Sequence, residues 1–280
     1  LLKAQKKTPG TITGCFLLYG CYEMKTISSK SNPLFKNALK IIKNRQKHSD
    51  FFVVEGEKLI CEAMASGANP QTLFANDTAP SDLEEKLQIP AIRLSRQLYL
   101  ELSTFVTPDQ VLCIFKQPTP PALESLVKTA KMLLVLDRIQ DPGNLGTIFR
   151  TSEALGADAV ILLKDSVSPF NNKVTRSAMG SSFRLPIYGG QDFFKLKQLL
   201  RTYNFSLIST EMEGETLFNF TFPQRCALIL GQEGSGILPE IKKECIMKLA
   251  IPMQGQVESL NVAASAAICL YEWAKQKSRL

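Results

Sequence analysis

"MLLVLDRIQDPGNLGTIFRTSEALGADAVILL", residues 132–163, decides the fold. It opens on an unbroken apolar run, "MLLVLD", passes through a polar loop with two glycines, and continues with helical spacing over 144–156. It ends on a second apolar run, "AVILL". Short apolar runs on either side of an amphipathic helix are the pattern of two parallel strands joined by a crossover helix. The same alternation continues downstream: a helix over 173–181, "RLPIY", a helix over 192–203, "FSLIST", "CALILG", a helix over 236–245, "MKLAIPM", and a last helix over 262–275. The fold class is therefore α/β, with a mostly parallel sheet covered by helices on both faces. The loop after the first strand is not a phosphate cradle. Its glycines stand at 143 and 146, matching neither G-x-G-x-x-G nor G-x-x-x-x-G-K-[ST].

Upstream lies a smaller α/β unit. Apolar and basic residues mix at helical spacing from Pro33 to His48, followed by a strand at 50–56, a glycine-capped helix at 57–67 and a strand at 71–77. A helix with a serine cap follows at 95–105, then a strand at 110–117. "PTPP" at 118–121 breaks the composition and opens a linker. The chain divides into a smaller unit over 24–117, a linker over 118–130 and a larger unit over 131–280. Residues 1–23 hold lysines ahead of "ITGCFLLYGCY", which superficially resembles a short secretory signal. That run is too short to span a bilayer, and Met24 opens a plausible start, so 1–23 reads as a disordered upstream extension.

The chain has 280 residues, with 33 Lys plus Arg against 26 acids, a net +7 that favours a polyanionic partner only mildly. The excess is concentrated: Lys25, Lys30, Lys36, Lys40, Lys43, Arg45 and Lys47 precede a single acid, Asp50. Such a segment is either a solvated helix face or a phosphate-contacting surface, with Lys36, Lys40, Lys43, Arg45 and Lys47 as the candidates for contact with a polyanion. The seven cysteines are scattered without a Cys-x-x-Cys pair, and His48 is the only histidine, so no Cys/His metal site is expected. Scattered thiols of this kind suit a reducing cytoplasm.

On the helix after "MLLVLD", Leu145, Ile148, Phe149, Ser152 and Leu155 fall on one side. Arg150 and Glu153 project from the other. Arg150 is either a surface residue paired with Glu153 at i+3 or a group facing another subunit or a substrate phosphate. Two further stretches bear on that choice. "LILGQEGSGI" (228–237) delivers Gly231, Gln232, Glu233, Gly234 and Gly236 from a buried strand into a turn. "IPMQGQVESLNVAASAA" (251–267) runs from an apolar strand through a polar loop into a helix of small residues, with Asn261 placed as its cap.

Together, "DPGNLGTIFRTSEALGA", "LILGQEGSGI" and "IPMQGQVESLNVAASAA" resemble the three motifs of the SpoU/TrmH branch of the SPOUT methyltransferases, over about residues 131–275. "FFVVEGEKLICEAM" more weakly resembles the substrate-binding domain often fused to these enzymes. The resemblance implies a C-terminal segment threaded through a deep trefoil knot, an exception to the rule that chains avoid knots. It implies S-adenosylmethionine as cofactor, contacted at Gly231, Ile251 and Leu260 with Met253 nearby. It also implies a homodimer, with the catalytic arginine at the interface, and methyl transfer to a ribose 2′-hydroxyl of structured RNA. Asn144, Arg150, Glu233, Ser259 and Asn261 match the family's catalytic positions, with Asn144 able to orient Arg150. Where members often carry serine two positions after this asparagine, the chain has Ala263. The extra N-terminal unit favours 23S rRNA over tRNA as substrate. A tRNA 2′-O-methyltransferase, a base methyltransferase and a catalytically silent RNA-binding or ribosome-assembly homologue stay open as alternatives. The expected place of action is cytoplasmic, with no membrane or metal partner.

Overall fold

The computed structural model describes residues 26–43, 50–255 and 259–277. The N-terminal unit contains β1 (Thr26–Ile27), α1 (Pro33–Lys43), β2 (Phe51–Glu55), α2 (Glu57–Ala65), β3 (Asn69–Asn76), α3 (Leu83–Leu87), β4 (Ala91–Leu94), α4 (Arg96–Leu102) and β5 (Val111–Lys116). Its sheet runs β1-β4-β3-β5-β2, antiparallel where β5 meets β3 and β2 and parallel elsewhere. After α5 (Leu123–Leu126) come β6 (Met132–Asp137), α6 (Pro142–Ala154), β7 (Ala159–Leu163), α7 (Asn172–Ala178), α8 (Ser181–Arg184) and β8 (Ile187–Gln191). The chain continues through α9 (Phe193–Thr202), β9 (Ser206–Thr216), β10 (Cys226–Gly231), α10 (Pro239–Lys242), β11 (Met247–Ala250) and α11 (Val262–Gln276).

The second sheet runs β11-β9-β10-β6-β7-β8, and every pairing in it is parallel. Its centre explains the unbroken apolar runs. All of β6 and β7 is buried, because helices cover both faces of the sheet. Alternate side chains go to opposite sides. Leu134 and Leu136 join Leu145, Ile148, Phe149 and Trp273 beneath α6 and α11, whereas Leu133 and Val135 join Leu196, Leu200 and Ile241 on the other face.

Several elements differ from the sequence reading. The helix expected over 173–181 is broken into α7 and α8 by Met179 (φ 48°) and Gly180 (φ 85°), both left-handed. The helix expected over 236–245 shrinks to α10, because 232–238 is a tight loop and Pro239 occupies the first helical turn. The strand expected at 184–188 begins instead at Ile187, since Arg184 is helical and Pro186 has no N–H to give a ladder.

The linker is tied down near both ends. Arg225 donates to the carbonyls of Val127 and Ala130, and the Tyr188 hydroxyl donates to the Pro121 carbonyl at 2.7 Å. The two units meet through aromatic packing. The Phe52 ring lies 5.1 Å from Phe170 and 5.5 Å from Phe183, and the Arg176 guanidinium sits 4.4 Å over Phe105. The extension 1–23, Arg45 and Lys47 lie outside the described residues.

Candidate active site

Three loops converge at the carboxyl ends of β6, β10 and β11, where open parallel sheets bind their ligands. The first contains a pin. Asp137 is buried, and its Oδ2 accepts from the Leu238 N–H at 2.9 Å and from Arg138 Nη2 at 3.2 Å. Arg138, left-handed at φ 56°, also donates to the Gly236 carbonyl at 2.9 Å. One acid–base pair on the first loop thus clamps the second. The second loop closes on itself through Gly236 N–H to the Gln232 carbonyl at 2.8 Å. Gly231 permits this, because a Cβ there would fall inside the backbone of Gly236 and Ile237. The bare backbone at Gly231 is therefore covered by the chain's own loop.

Each motif helix starts on a side-chain cap. Asp141 Oδ1 accepts from Asn144 N–H at 2.7 Å with Pro142 at the first helical position, and Asn261 Oδ1 accepts from Ala263 and Ala264 N–H at 2.9 and 3.3 Å. Capping commits the oxygen of Asn261 to α11, so its amide nitrogen must point outward as a donor. It donates to Asn144 Oδ1 at 3.0 Å and to Glu233 Oε1 at 2.9 Å. Asn144 Nδ2 donates to the same Glu233 oxygen. The three form a closed ring that joins α6, the glycine loop and α11.

Beside the ring lies a cleft of ≈ 180 Å³, open to solvent. Gly231, Ile251, Met253 and Leu260 line it, as do Glu233 and Ser259, so the expected cofactor positions and two of the expected catalytic positions share one cavity. Thr210, Glu211, Met212 and Lys242 also line it, and the sequence reading had none of these four. β9 runs on to Thr216, past the apolar "FSLIST" where the expected strand stopped, and its charged end supplies the wall. A larger cavity of ≈ 350 Å³ at the junction of the two units is lined by Phe51, Phe52, Gln117 and Phe170 and holds no residue of the three motifs.

Arg150 stands apart from the ring. It is exposed on α6, and its side chain makes no hydrogen bond or ion pair among the described residues. The Asn144 side chain bonds to Glu233 and Asn261, and not to Arg150. Nor is Glu153 the partner of Arg150. Its two oxygens accept from Arg184 Nε at 2.5 Å and Nη2 at 2.9 Å, which holds the Glu153 carboxyl below its ordinary range. Lys36, Lys40 and Lys43 are exposed at i, i+4 and i+7 on α1. Arg138 turns to the glycine loop, Arg176 lies exposed over the Phe105 ring, and Lys173 is exposed. Among the described residues no cluster of His, Cys, Asp and Glu could hold a metal ion, and no helix is long and apolar enough to cross a membrane.

Solved structures share this architecture over nearly the whole chain. The AdoMet-bound rRNA methyltransferase from Sinorhizobium meliloti superposes with a TM-score of 0.78 and 26% identity, covering 90% of this chain and 98% of that one. The SpoU methyltransferase AviRb from Streptomyces viridochromogenes, in complex with AdoMet, gives 0.77 and 26%, covering 88% and 98%. The fold is that of an RNA methyltransferase. The SpoU rRNA methylase family matches residues 131–271, and the MRM3-like substrate binding domain matches residues 35–113. Over 252 residues the chain is 34% identical to the 23S rRNA (guanosine(2553)-2′-O)-methyltransferase RlmP of Bacillus subtilis (strain 168), covering 89% of this chain and 98% of that protein. The chain belongs to the SpoU rRNA methylase family.

Proposed function

We propose that the protein transfers a methyl group from S-adenosylmethionine to a ribose 2′-hydroxyl of 23S rRNA. The observation that carries this reading is the ring of Asn144, Glu233 and Asn261 at the lip of the cleft, which brings all three motifs to one point. The donor set fits the cofactor: apolar Ile251, Met253 and Leu260 suit an adenine face, while Thr210, Ser259 and the main chain of the glycine loop offer hydrogen bonds to polar substituents. When bound, that cofactor supplies a methyl group already activated on a sulfonium.

The chain's own residues then align the hydroxyl and manage its proton. Alignment of this kind is worth about 7–11 kcal/mol, and assisted proton loss about 10²–10⁴-fold. A guanidinium is a poor base, so Arg150 acts by charge, gripping a neighbouring phosphate and stabilising the developing alkoxide. Glu233 keeps Oε2 clear of the ring, and with Ser259 it forms the polar wall facing the ribose. Lys36, Lys40 and Lys43 hold the RNA at a distance, together with Arg45 and Lys47. A second copy of the chain completes the site. Its support is the exposed Arg150 and the exposed Ala264, Ile268 and Tyr271, at i, i+4 and i+7 on α11, which packs beside α6. The reading includes the deep trefoil knot, supported by the meeting of the 231–237 loop with Ile251, Met253, Ser259 and Leu260 in one cleft.

The test incubates the protein with methyl-labelled S-adenosylmethionine and, separately, rRNA, tRNA and ribosomal subunits from a strain lacking the activity. Label recovered from rRNA as a 2′-O-methylnucleoside, and lost in Arg150→Ala, is the expected result. Label in tRNA alone would overturn the substrate. Failure to bind the cofactor would overturn the reaction and bring forward a silent RNA-binding role.

A further inference from the structure

Arg150 and Glu153 are three residues apart on α6, the spacing at which helical side chains are neighbours, about 5–6 Å between Cβ atoms, and opposite charges pair. They do not pair here, and the reason lies on α8. Arg184 presents its guanidinium fork to both oxygens of Glu153, at 2.5 and 2.9 Å, the two-point geometry that arginine makes with carboxylates. A second acid lies on the far side of Arg184, beyond ion-pair distance and acting by charge alone. Glu62, on α2 of the N-terminal unit, places a buried Oε2 without a hydrogen bond beside it. A Cβ at Gly180 would lie 2.5 Å from that oxygen and 2.6 Å from Arg184 Nη1, so glycine at 180 is what lets the two groups approach. The order of charges is therefore Glu62, Arg184, Glu153, and only then Arg150, which is left exposed and unengaged among the described residues.

We propose that Arg184 is a positioning residue that occupies Glu153 and so keeps the charge of Arg150 available to the RNA. This rests on the reading of Arg150 as the group that meets the substrate phosphate. Without Arg184, the Glu153 carboxylate turns to its neighbour one turn back along the helix. It then neutralises Arg150 and sets a negative charge against the incoming phosphate. Because Glu62 belongs to the other unit, seating of the N-terminal unit on α8 supports the free state of Arg150.

The experiment compares methyl transfer by wild type, Arg184→Ala, Arg184→Lys, Glu153→Gln, the double variant Arg184→Ala/Glu153→Gln, and Arg150→Ala, with urea unfolding of each. Arg184→Ala should lower kcat/KM for RNA by roughly three- to tenfold, the scale of one like charge a helical turn away from the phosphate. The double variant should return to within about twofold of Glu153→Gln alone, and Arg184→Lys should stay near wild type. A merely structural Arg184 predicts that the double variant is as impaired as Arg184→Ala, and that result would overturn the proposal. So would full activity in Arg184→Ala. Full activity in Arg150→Ala would remove the role of Arg150 itself, and the proposal with it. That outcome is distinct from an active, Arg150-dependent enzyme indifferent to Arg184.

Discussion

Replacing Gly146 by alanine sets two effects of opposite sign against each other on the helix that carries Arg150. Alanine is the better helix former, and an exposed Gly→Ala change inside a helix should stabilise by about 1 kcal/mol. Gly146 is buried against α7, however. A Cβ there would lie 2.6 Å from the Val174 carbonyl oxygen and 2.9 Å from the Ala178 nitrogen, and would overlap the Ser177 Cβ. Two of these three neighbours are backbone and cannot rotate away, so α6 and α7 must separate. Overpacking of this kind costs about 1–3 kcal/mol, and the full clash here belongs at the upper end. The net expectation is destabilisation of about 1–2 kcal/mol, after the propensity gain is subtracted. Urea unfolding measures it as a fall in midpoint at unchanged slope. Adding Ser177→Gly removes one clash of the three and should recover only a minor part. An unchanged or raised midpoint for Gly146→Ala would refute the close packing of α6 on α7.

Asn261 offers a way to separate capping from the ring. Asn261→Ala should lose about 1 kcal/mol of stability and the ring together, whereas Asn261→Asp keeps the cap but turns an oxygen toward Glu233; both should lose methyl transfer at least about tenfold, and full activity in Asn261→Asp would show that the ring is dispensable. The triple change Lys36→Ala/Lys40→Ala/Lys43→Ala should reduce the slope of log affinity for single-stranded RNA against log salt by about 2, from three phosphate contacts at about 0.7 each; an unchanged slope, read from titrations across salt, would make these lysines solvated surface. Among the described cysteines, Cys61 is exposed while Cys113, Cys226 and Cys269 are buried, and burial pushes the thiols of Cys226 and Cys269 up to about 12. Peptide mass spectrometry after iodoacetamide should find Cys61 alkylated well before these three in the native protein, and equal rates would contradict the packing.

Patterns with a local physical cause were legible from the residues alone. "MLLVLD" and "AVILL" are uniformly apolar because both faces of the sheet are covered, and their burial along the whole of β6 and β7 follows from the same fact. The buried face of α6, Leu145, Ile148, Phe149 and Ser152, could be read from the 100° spacing. What could not be read was set by tertiary partners. The glycine loop that displaces most of the expected helix over 236–245 is clamped by Asp137 and Arg138, about a hundred residues upstream. The acidic end of β9 has no strand pattern of its own and is extended by pairing with β11, across a shift in register. Glu153 was an obvious partner for Arg150 by spacing, and only the fold brings Arg184 to it. Asn144, Glu233 and Asn261 entered the candidate site through family resemblance. No feature of spacing says that they touch.

If the ring carries the proposed chemistry, it also fixes when activity can begin. Its members stand 89, 28 and 117 positions apart in pairs, and the last of them caps the final described helix. A chain emerging from the ribosome in N-to-C order can complete its lysine-bearing unit and most of its parallel sheet before residue 261 has left the exit tunnel. On the function proposed above, the lysine face meant for RNA would exist throughout that interval without the polar corner assigned to the chemistry. Catalytic competence would then arrive last, as a single late event, once the C-terminal helix has been made, released and docked.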